Sequence, residues 1–133
     1  MSRYLLDTNI CIAWLKNNQA VVQRIIEAGE NHIYLCAPVK AELWYGACKS
    51  QRVNDNKANL ELLFSYFPSL PFDDHAALHF GESRSHLATQ GTPIGPYDLQ
   101  IVAIGLSHQL TVVTNNTREF ERVPMLMLAD WLS

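Results

Sequence analysis

The sequence predicts an α/β fold, a three-layer α/β/α sandwich with a mostly parallel central sheet, because short apolar runs alternate with longer segments of helical spacing. Parallel strands need a long crossover between them, and such crossovers are almost always right-handed, so helices lie on both faces of the sheet. At 133 residues and 48% hydrophobic, the chain is long enough for one domain with a substantial core. We therefore expect residues 1–133 to form a single domain.

Five apolar runs have strand character, and helical segments lie between them. The predicted strands are residues 4–6, 33–36, 70–72, 110–113 and 125–128, of which the third and fifth are the weaker. The predicted helices are residues 10–16, 20–28, 39–49, 54–67, 73–90 and 96–108. Gly29 and Gly91 follow two of these helices as stop signals, and Asp73 and Asp74 supply acidic residues to the first turn of the fifth.

Composition excludes several classes of protein. No apolar run approaches the roughly 20 residues of a membrane-spanning helix, and the N-terminus lacks the layout of a signal peptide, so we expect a cytoplasmic protein without membrane contact. Cys11, Cys36 and Cys48 form no C-x-x-C pair and have apolar neighbours, so they are interpreted as small core residues in a reducing compartment. The net charge of −3 does not by itself indicate nucleic-acid binding.

Four acidic residues follow predicted strands or begin the helices after them. Asp7 comes directly after the first strand, and Glu42 lies in the first turn or so of the helix after the second. Asp98 lies in the first turn of the sixth helix, behind a stiff loop rich in glycine and proline. Thr114 follows the end of the fourth strand, and Glu119 lies five residues beyond Thr114. Because the carboxyl ends of parallel strands share one edge of a sheet, we expect the four acids to meet there.

Each acid alone also has an ordinary structural explanation. Asp7 could be a helix N-cap, Glu42 a surface residue and Glu119 a solvated helix residue. Asp98 in a first turn is favoured by the helix dipole by about 0.3–1 kcal/mol. Together, however, carboxylates within about 4–6 Å raise one another's pKa unless a cation is present. Mg²⁺ or Mn²⁺, which prefer oxygen ligands, is therefore the expected cofactor.

Four stretches carry a family resemblance that spans nearly the whole chain. They are LLDTN at residues 5–9, AEL with YG at 41–43 and 45–46, GTPIGPYD at 91–98 and VTNNTREFERV at 113–123. In this order they resemble the motifs of PIN-domain ribonucleases, and most closely those of the VapC toxins of bacterial toxin–antitoxin pairs. The resemblance implies a PIN-like fold with Asp7, Glu42 and Asp98 in the three acidic positions of the active site.

The resemblance also assigns a fourth acid and the supporting residues. Glu119 matches a less uniform acidic position that many relatives fill with Asp, whereas some PIN proteins place an acid where this chain has Asn116. Thr114 matches a small hydroxyl residue that supports the site, and Asn9 matches an asparagine that ties the first turn together. Asn116 is grouped with these supporting residues.

The implied activity is endonucleolytic cleavage of structured RNA, with tRNA as the expected substrate, to arrest translation and growth. Metal-independent ribonucleases commonly use histidine as general acid and base. The five histidines, His32, His75, His79, His86 and His108, all lie outside the four motifs, which favours a metal-activated water. Asp7 and Asp98 are expected to bind the first ion, with Glu42 and Glu119 completing the site directly, through waters or through a second ion. The products should carry 5′-phosphate and 3′-hydroxyl ends.

Charge and resemblance together suggest the partners. Four of the 13 acidic residues are assigned to the site, which leaves 9 against 10 basic residues on a surface that RNA can bind. Candidate phosphate contacts are Lys16, Lys40, Lys49, Arg52, Arg84, Arg118 and Arg122. The resemblance implies a homodimer that forms a larger assembly with a VapB-like antitoxin. The antitoxin's C-terminal segment would block the acidic site, and only the antitoxin would bind operator DNA.

Several alternatives remain open. A haloacid-dehalogenase phosphatase also begins with an apolar strand, Asp and Thr, but would need a second Asp at Asn9. A catalytically silent RNA- or antitoxin-binding module would not need all three core acids. On a helix, His75, His79 and Glu82 would align as zinc ligands, although surface positions are the simpler interpretation. The aromatic residues Trp14, Trp44 and Tyr45 could stack on bases, or pack in the core, a dimer surface or a peptide groove.

Overall fold

A five-stranded parallel sheet forms the centre of the fold in the computed structural model, which describes residues 2–132. The strands are β1 (Tyr4–Leu6), β2 (Ile33–Cys36), β3 (Ser69–Leu70), β4 (Thr111–Val113) and β5 (Met127–Ala129). The helices are α1 (Thr8–Leu15), α2 (Gln19–Ala28), α3 (Ala37–Cys48), α4 (Val53–Tyr66), α5 (Asp74–Thr89), α6 (Pro96–His108) and α7 (Thr117–Phe120). A short 3₁₀ turn at Glu30–His32 leads into β2.

The strand order is β3-β2-β1-β4-β5, with parallel pairing between neighbours. Right-handed crossovers in this order place α1 to α4 on one face and α5 and α6 on the other, so the predicted α/β/α sandwich is confirmed. The chain leaves β1 towards β2 on one side and leaves β4 towards β5 on the other. Adjacent strands whose connections diverge in this way open a crevice at their carboxyl ends, where ligands bind in α/β folds.

The core lies between the central strands and the helices packed on them. Leu5 and Leu6 of β1 are both fully buried, as expected for a strand covered on both faces. Helix α6 is apolar on most of its surface and is buried along residues 101–105. Gly105 allows α6 to cross the sheet closely, because a Cβ there would lie 2.7 Å from Val112 Cγ2. Within residues 2–132, no helix has both the length and the apolar character needed to span a membrane.

Several predicted boundaries were wrong, each for a local reason. Helix α1 begins at Thr8 rather than residue 10, because Asp7 is already its N-cap. Helix α3 begins at Ala37 rather than residue 39, which puts Glu42 in the second turn instead of the first. Strand β5 covers 127–129 rather than 125–128, because Met125 has a φ of 70° that no strand accommodates. Strand β3 is limited to residues 69–70, and the short helix α7 was not predicted.

The cysteines only partly follow their predicted role. Cys11 and Cys36 are buried, and burial raises the pKa of the Cys36 thiol to about 12, so both thiols stay neutral. Cys48 is exposed, which corrects the expectation of three core cysteines. The buried positions Val39, Leu43 and Ala47 follow one another every four residues, and Cys48 falls one position off that face.

Candidate active site

Asp7 is a buried carboxylate held from two sides at the carboxyl end of β1. Its residue is only 6% exposed. Oδ1 accepts a 2.7 Å hydrogen bond from the backbone N–H of Thr8, and Oδ2 accepts a 2.7 Å hydrogen bond from the hydroxyl of Thr114. Burial raises the pKa of Asp7, and the bonds from Thr114 and Thr8 partly offset that rise. The N-cap interpretation of Asp7 is therefore correct, and the cap uses only one of its oxygens.

Thr114 links the end of β4 to Asp7. It is fully buried, and its backbone N–H donates to the carbonyl of Ala129 at 3.0 Å. Because its hydroxyl proton goes to Asp7, the hydroxyl oxygen is free to accept the N–H of Asn116 at 3.0 Å. The backbone N–H of Asp7 in turn donates to the carbonyl of Val113 at 2.9 Å. The two central strands therefore fix the orientation of this carboxylate.

Glu42 reaches the same edge from α3 with one oxygen unpaired. Its residue is half-buried, and within residues 2–132 neither Oε1 of Glu42 nor the nearby Oγ1 of Thr8 has a hydrogen-bond partner, although both atoms are buried. Burial and the charge of Asp7 raise the pKa of Glu42, while the hydroxyl of Thr8, which faces the carboxylate without reaching full hydrogen-bond geometry, lowers it. A buried carboxylate oxygen without a partner costs free energy, so a hydrogen-bond donor or a cation at this edge would stabilise the protein.

Asp98 connects all four acids electrostatically. It lies in the first turn of α6, whose start is set by Gly95 as N-cap and Pro96 in the first turn. Burial, followed by the charges of Asp7, Glu119 and Glu42, raises the pKa of Asp98 to about 6. The structure therefore brings the other three sequence-predicted acids, Asp7, Glu42 and Glu119, within electrostatic range of Asp98.

The remaining predicted residues lie in or beside the β4–α7 loop. The side-chain amide of Asn116 donates a 2.6 Å hydrogen bond to Oε2 of Glu119, so Asn116 orients this acid. Asn9 is exposed, and its amide donates to Oδ1 of Asn115 at 3.3 Å. Asn9 therefore ties α1 to the β4–α7 loop rather than tying the first turn to itself. Sequence reasoning missed Asn115, whose only signal was its place in the polar run after β4.

Comparison with known proteins identifies the family. The PIN domain family model matches residues 4–126. A Shigella flexneri protein named tRNA(fMet)-specific endonuclease VapC is 43% identical over 131 residues, which cover 98% of this chain and 99% of that protein. This chain belongs to the PIN domain family. The resemblance to VapC-type PIN domains is confirmed, and the haloacid-dehalogenase alternative does not fit this family.

Other relatives also align with nearly the whole of this PIN domain. Ribonuclease VapC2 of Rickettsia felis is 35% identical over 130 residues, with 96% of this chain and 97% of that protein covered. The crystal structure of DNA-bound VapBC from Salmonella typhimurium contains a chain that superposes with a TM-score of 0.93 at 40% identity, covering 98% of this chain and 99% of that chain. The similarity therefore extends over the whole fold, including the segments that carry the four acids.

The donor set of this PIN domain fits an open magnesium site. Within residues 2–132, no three His, Cys, Asp or Glu side chains are arranged as a ready-made metal cage. Mg²⁺ seldom uses such a cage, since it keeps several waters and takes one or two carboxylates together with substrate phosphates. The partnerless oxygen of Glu42 and the raised pKa of Asp98 are what a cation among these oxygens would relieve. The rings of His75 and His79 pack edge to face with their centroids 5.0 Å apart, and together with Glu82 they do not form a metal-ligand group.

The aromatic and basic candidates of this PIN domain mostly have structural roles. Trp14 packs edge-on against Tyr66 with ring centroids 5.7 Å apart, and the ring centroids of Trp44 and Phe64 are 6.4 Å apart. The packing interpretation therefore holds for both tryptophans. Tyr45 is 66% exposed. Four of the candidate cations contact other groups: Arg52 pairs with Asp55 at 2.9 Å, Lys40 lies over the Phe64 ring at 4.6 Å, Lys49 lies over the Tyr45 ring at 4.8 Å, and Arg122 donates to the carbonyl of Pro93 at 3.4 Å.

Proposed function

We propose that this PIN domain is a Mg²⁺- or Mn²⁺-dependent endoribonuclease that acts as the toxin of a toxin–antitoxin pair. The observation that carries the proposal is the buried carboxylate of Asp7, held by Thr8 and Thr114 at the carboxyl end of β1. The charges of Asp7, Glu119 and Glu42, which raise the pKa of Asp98, support a cluster of four acids there. A phosphodiester is anionic and would be repelled by four carboxylates, so the site needs a divalent cation before it can accept RNA. Relatives named as ribonucleases and as a tRNA endonuclease support this reaction class.

Asp7 and Asp98 are the proposed ligands of that ion, and Glu42 and Glu119 complete the site directly or through water. When bound, the ion would supply activation of a water nucleophile and stabilisation of charge on the departing oxygen. The chain's own contribution is positioning. Thr114 and the Thr8 N–H hold both oxygens of Asp7, so this carboxylate keeps one orientation as substrate arrives.

The other three acids differ in the contacts that position them. Glu42 leaves its buried Oε1 unpaired, so this carboxylate can still accept a hydrogen bond from a donor that reaches the acidic edge. Asn116 holds Glu119 through its side-chain amide, which limits the rotamers of an acid on a short helix. Because the N-terminus of α6 is the positive end of its dipole, it favours the negative charge of Asp98 in the first turn.

The proposed substrate is structured RNA, with tRNA as the first candidate because a 43% identical relative is named as a tRNA(fMet)-specific endonuclease. The proposed regulator is a VapB-like antitoxin whose C-terminal segment blocks the acidic site, since several solved relatives are VapBC complexes. We also propose a homodimer that enters a larger assembly in the cytoplasm. Operator DNA would bind only through the antitoxin.

Cleavage of end-labelled tRNA tests the proposed function. The purified chain should cut tRNA with Mg²⁺ or Mn²⁺ and stop when EDTA is added. Asp98→Asn should lose on the order of 100-fold or more in rate, because it removes a charge that holds the metal. The matched control is Asp74→Asn, which removes an exposed aspartate from the first turn of α5. This variant should cut tRNA at the wild-type rate.

Two outcomes would contradict the proposal. Undiminished cleavage in EDTA, or an Asp98→Asn variant as active as Asp74→Asn, would show that the acidic edge does not hold a catalytic metal. Tight binding of RNA by the wild-type chain without any cleavage would instead establish the silent binding module.

A further inference from the structure

A groove extends from the acidic edge along α1, α3 and α4. It encloses about 350 Å³, which is within the range of ligand pockets, about 300–1,000 Å³. Thr8 and Glu42 line the end shared with the acids. Lys16 and Asn59 lie where the groove meets solvent. The walls between these ends are apolar and come from Ile12, Leu15, Leu43 and Leu60.

Gly46 lines this groove from the interior of α3, where the fold does not require glycine. A Cβ at Gly46 would meet no atom within 4 Å, so an added side chain would enter the empty groove. Glycine is less favourable than alanine in a helix interior. At Gly105, by contrast, a Cβ would lie 2.7 Å from Val112, so packing explains that glycine. The absence of a side chain at Gly46 is explained if a ligand lies against this part of α3.

The groove presents three kinds of chemistry in sequence. At one end are the acids proposed to receive the scissile phosphate, in the middle are apolar walls, and at the other end is Lys16, which forms no ion pair with any described residue. A nucleotide strand repeats anionic phosphates, and the ribose between two phosphates carries a flat base with π faces and polar edges. Asn59, an exposed amide with no hydrogen bond to any described residue, can donate to and accept from a base edge.

We propose that this groove binds single-stranded RNA next to the scissile phosphate, with a base between the apolar walls, its edge at Asn59 and a phosphate further along the strand at Lys16. The inference rests on the proposed function, because the acidic edge fixes where the strand enters. An apolar peptide would also fit the walls. The nucleotide is favoured because a cation at the far end and continuity with the acids at the near end match the backbone charges of RNA.

Binding of short single-stranded RNA measures the groove separately from cleavage. Fluorescence anisotropy is recorded with all four acids intact and with Ca²⁺, which also takes oxygen ligands, in place of Mg²⁺. Gel analysis of the same samples checks that the RNA is uncut. Adding Gly46→Leu should raise Kd about tenfold by filling the groove. The control is Gly81→Leu, since Gly81 is also a helical glycine whose Cβ would meet no atom within 4 Å, but it lies on α5 outside the groove.

Abasic RNA then identifies what the groove holds. Removing one base at a time should give one position where Kd rises about tenfold in the wild-type protein, whose groove is open. The same removal should cause no further rise in the Gly46→Leu protein, whose groove is already filled. A surface variant, Lys16→Ala, should lower the slope of log Kd against log salt by about 1 without disturbing the fold. Circular dichroism of each variant confirms folding.

Specific results would overturn the inference. Equal RNA affinity for Gly46→Leu and Gly81→Leu, or abasic effects that are the same in both, would show that no base enters the groove. If Gly46→Leu weakens binding of a co-expressed partner polypeptide while RNA affinity is unchanged, the groove is a protein site. Failure of the proposed function would be separate, because it would appear as absent cleavage by the wild-type chain.

Discussion

A single residue can serve the fold and the site together, and Asp7 does both here. The sequence offers helix capping and catalysis as alternative roles for it. In the structure one oxygen caps α1 through Thr8, and the other accepts the Thr114 hydroxyl. Local spacing predicted the cap, but the bond to Thr114 joins residues 107 positions apart and depends on strand order. That pairing could not be read from the sequence without the resemblance.

Asp98 makes the metal-free protein less stable as pH rises. Its folded pKa of about 6 lies above the ordinary value of 3.8, so the folded state binds the proton more tightly than the unfolded state does. The penalty is absent below the ordinary value, grows between the two values and is constant above about 6. We expect Asp98→Asn to stabilise the metal-free protein near neutral pH by about 1 kcal/mol after solvent screening, measured by urea unfolding from acid to neutral pH.

The control for the Asp98 prediction is the same unfolding series with saturating Mg²⁺. A bound cation favours the ionised carboxylate, so the wild-type chain should then be the more stable of the two. A stability gain from Asp98→Asn that is the same at every pH would contradict the electrostatic origin of the effect.

At the scale of elements, predictability follows the strength of the local signal. Helix α6 has the predicted bounds because Gly95 and Pro96 specify its start and Gln109, with a φ of 56°, ends it. Helix α3 begins earlier than predicted because Pro38 is tolerated inside the first turn, so proline did not mark the outside of the helix. Helix α7 has only four residues, too few for any periodicity to be recognised.

Two helical glycines should respond in opposite ways to the same substitution. Gly46→Ala should raise the free energy of unfolding by about 0.5–1 kcal/mol, because a helix favours alanine and the added Cβ meets no atom within 4 Å. Gly105→Ala should destabilise the protein, because its Cβ would lie 2.7 Å from Val112 Cγ2 at the contact between α6 and the sheet. Urea unfolding of both variants measures the difference. A destabilised Gly46→Ala variant would show that helix packing does require this glycine.

On the scale of the whole molecule, topology assembles the site. The diverging connections of β1 and β4 open the crevice into which Asp7 and the β4–α7 loop project, while α3 and α6 bring Glu42 and Asp98 to the same edge. Alternating strands and helices predicted the parallel sheet and the common edge. They did not predict the order β3-β2-β1-β4-β5, because sequence periodicity does not say which strands are neighbours. The unpaired atoms of Glu42 and Thr8 likewise depend on that order.

The four acids at the carboxyl edge of the sheet should form a site for a divalent cation. Calorimetric titration of the purified chain with Mn²⁺ tests it without any substrate. We expect saturable binding, accompanied by a stabilisation of about 2.7 kcal/mol at 100 times Kd. Binding should be lost in Asp98→Asn and retained in Asp74→Asn, the first-turn control on α5. Mn²⁺ binding that is absent from the wild-type chain, or unchanged in Asp98→Asn, would show that these acids do not form a cation site.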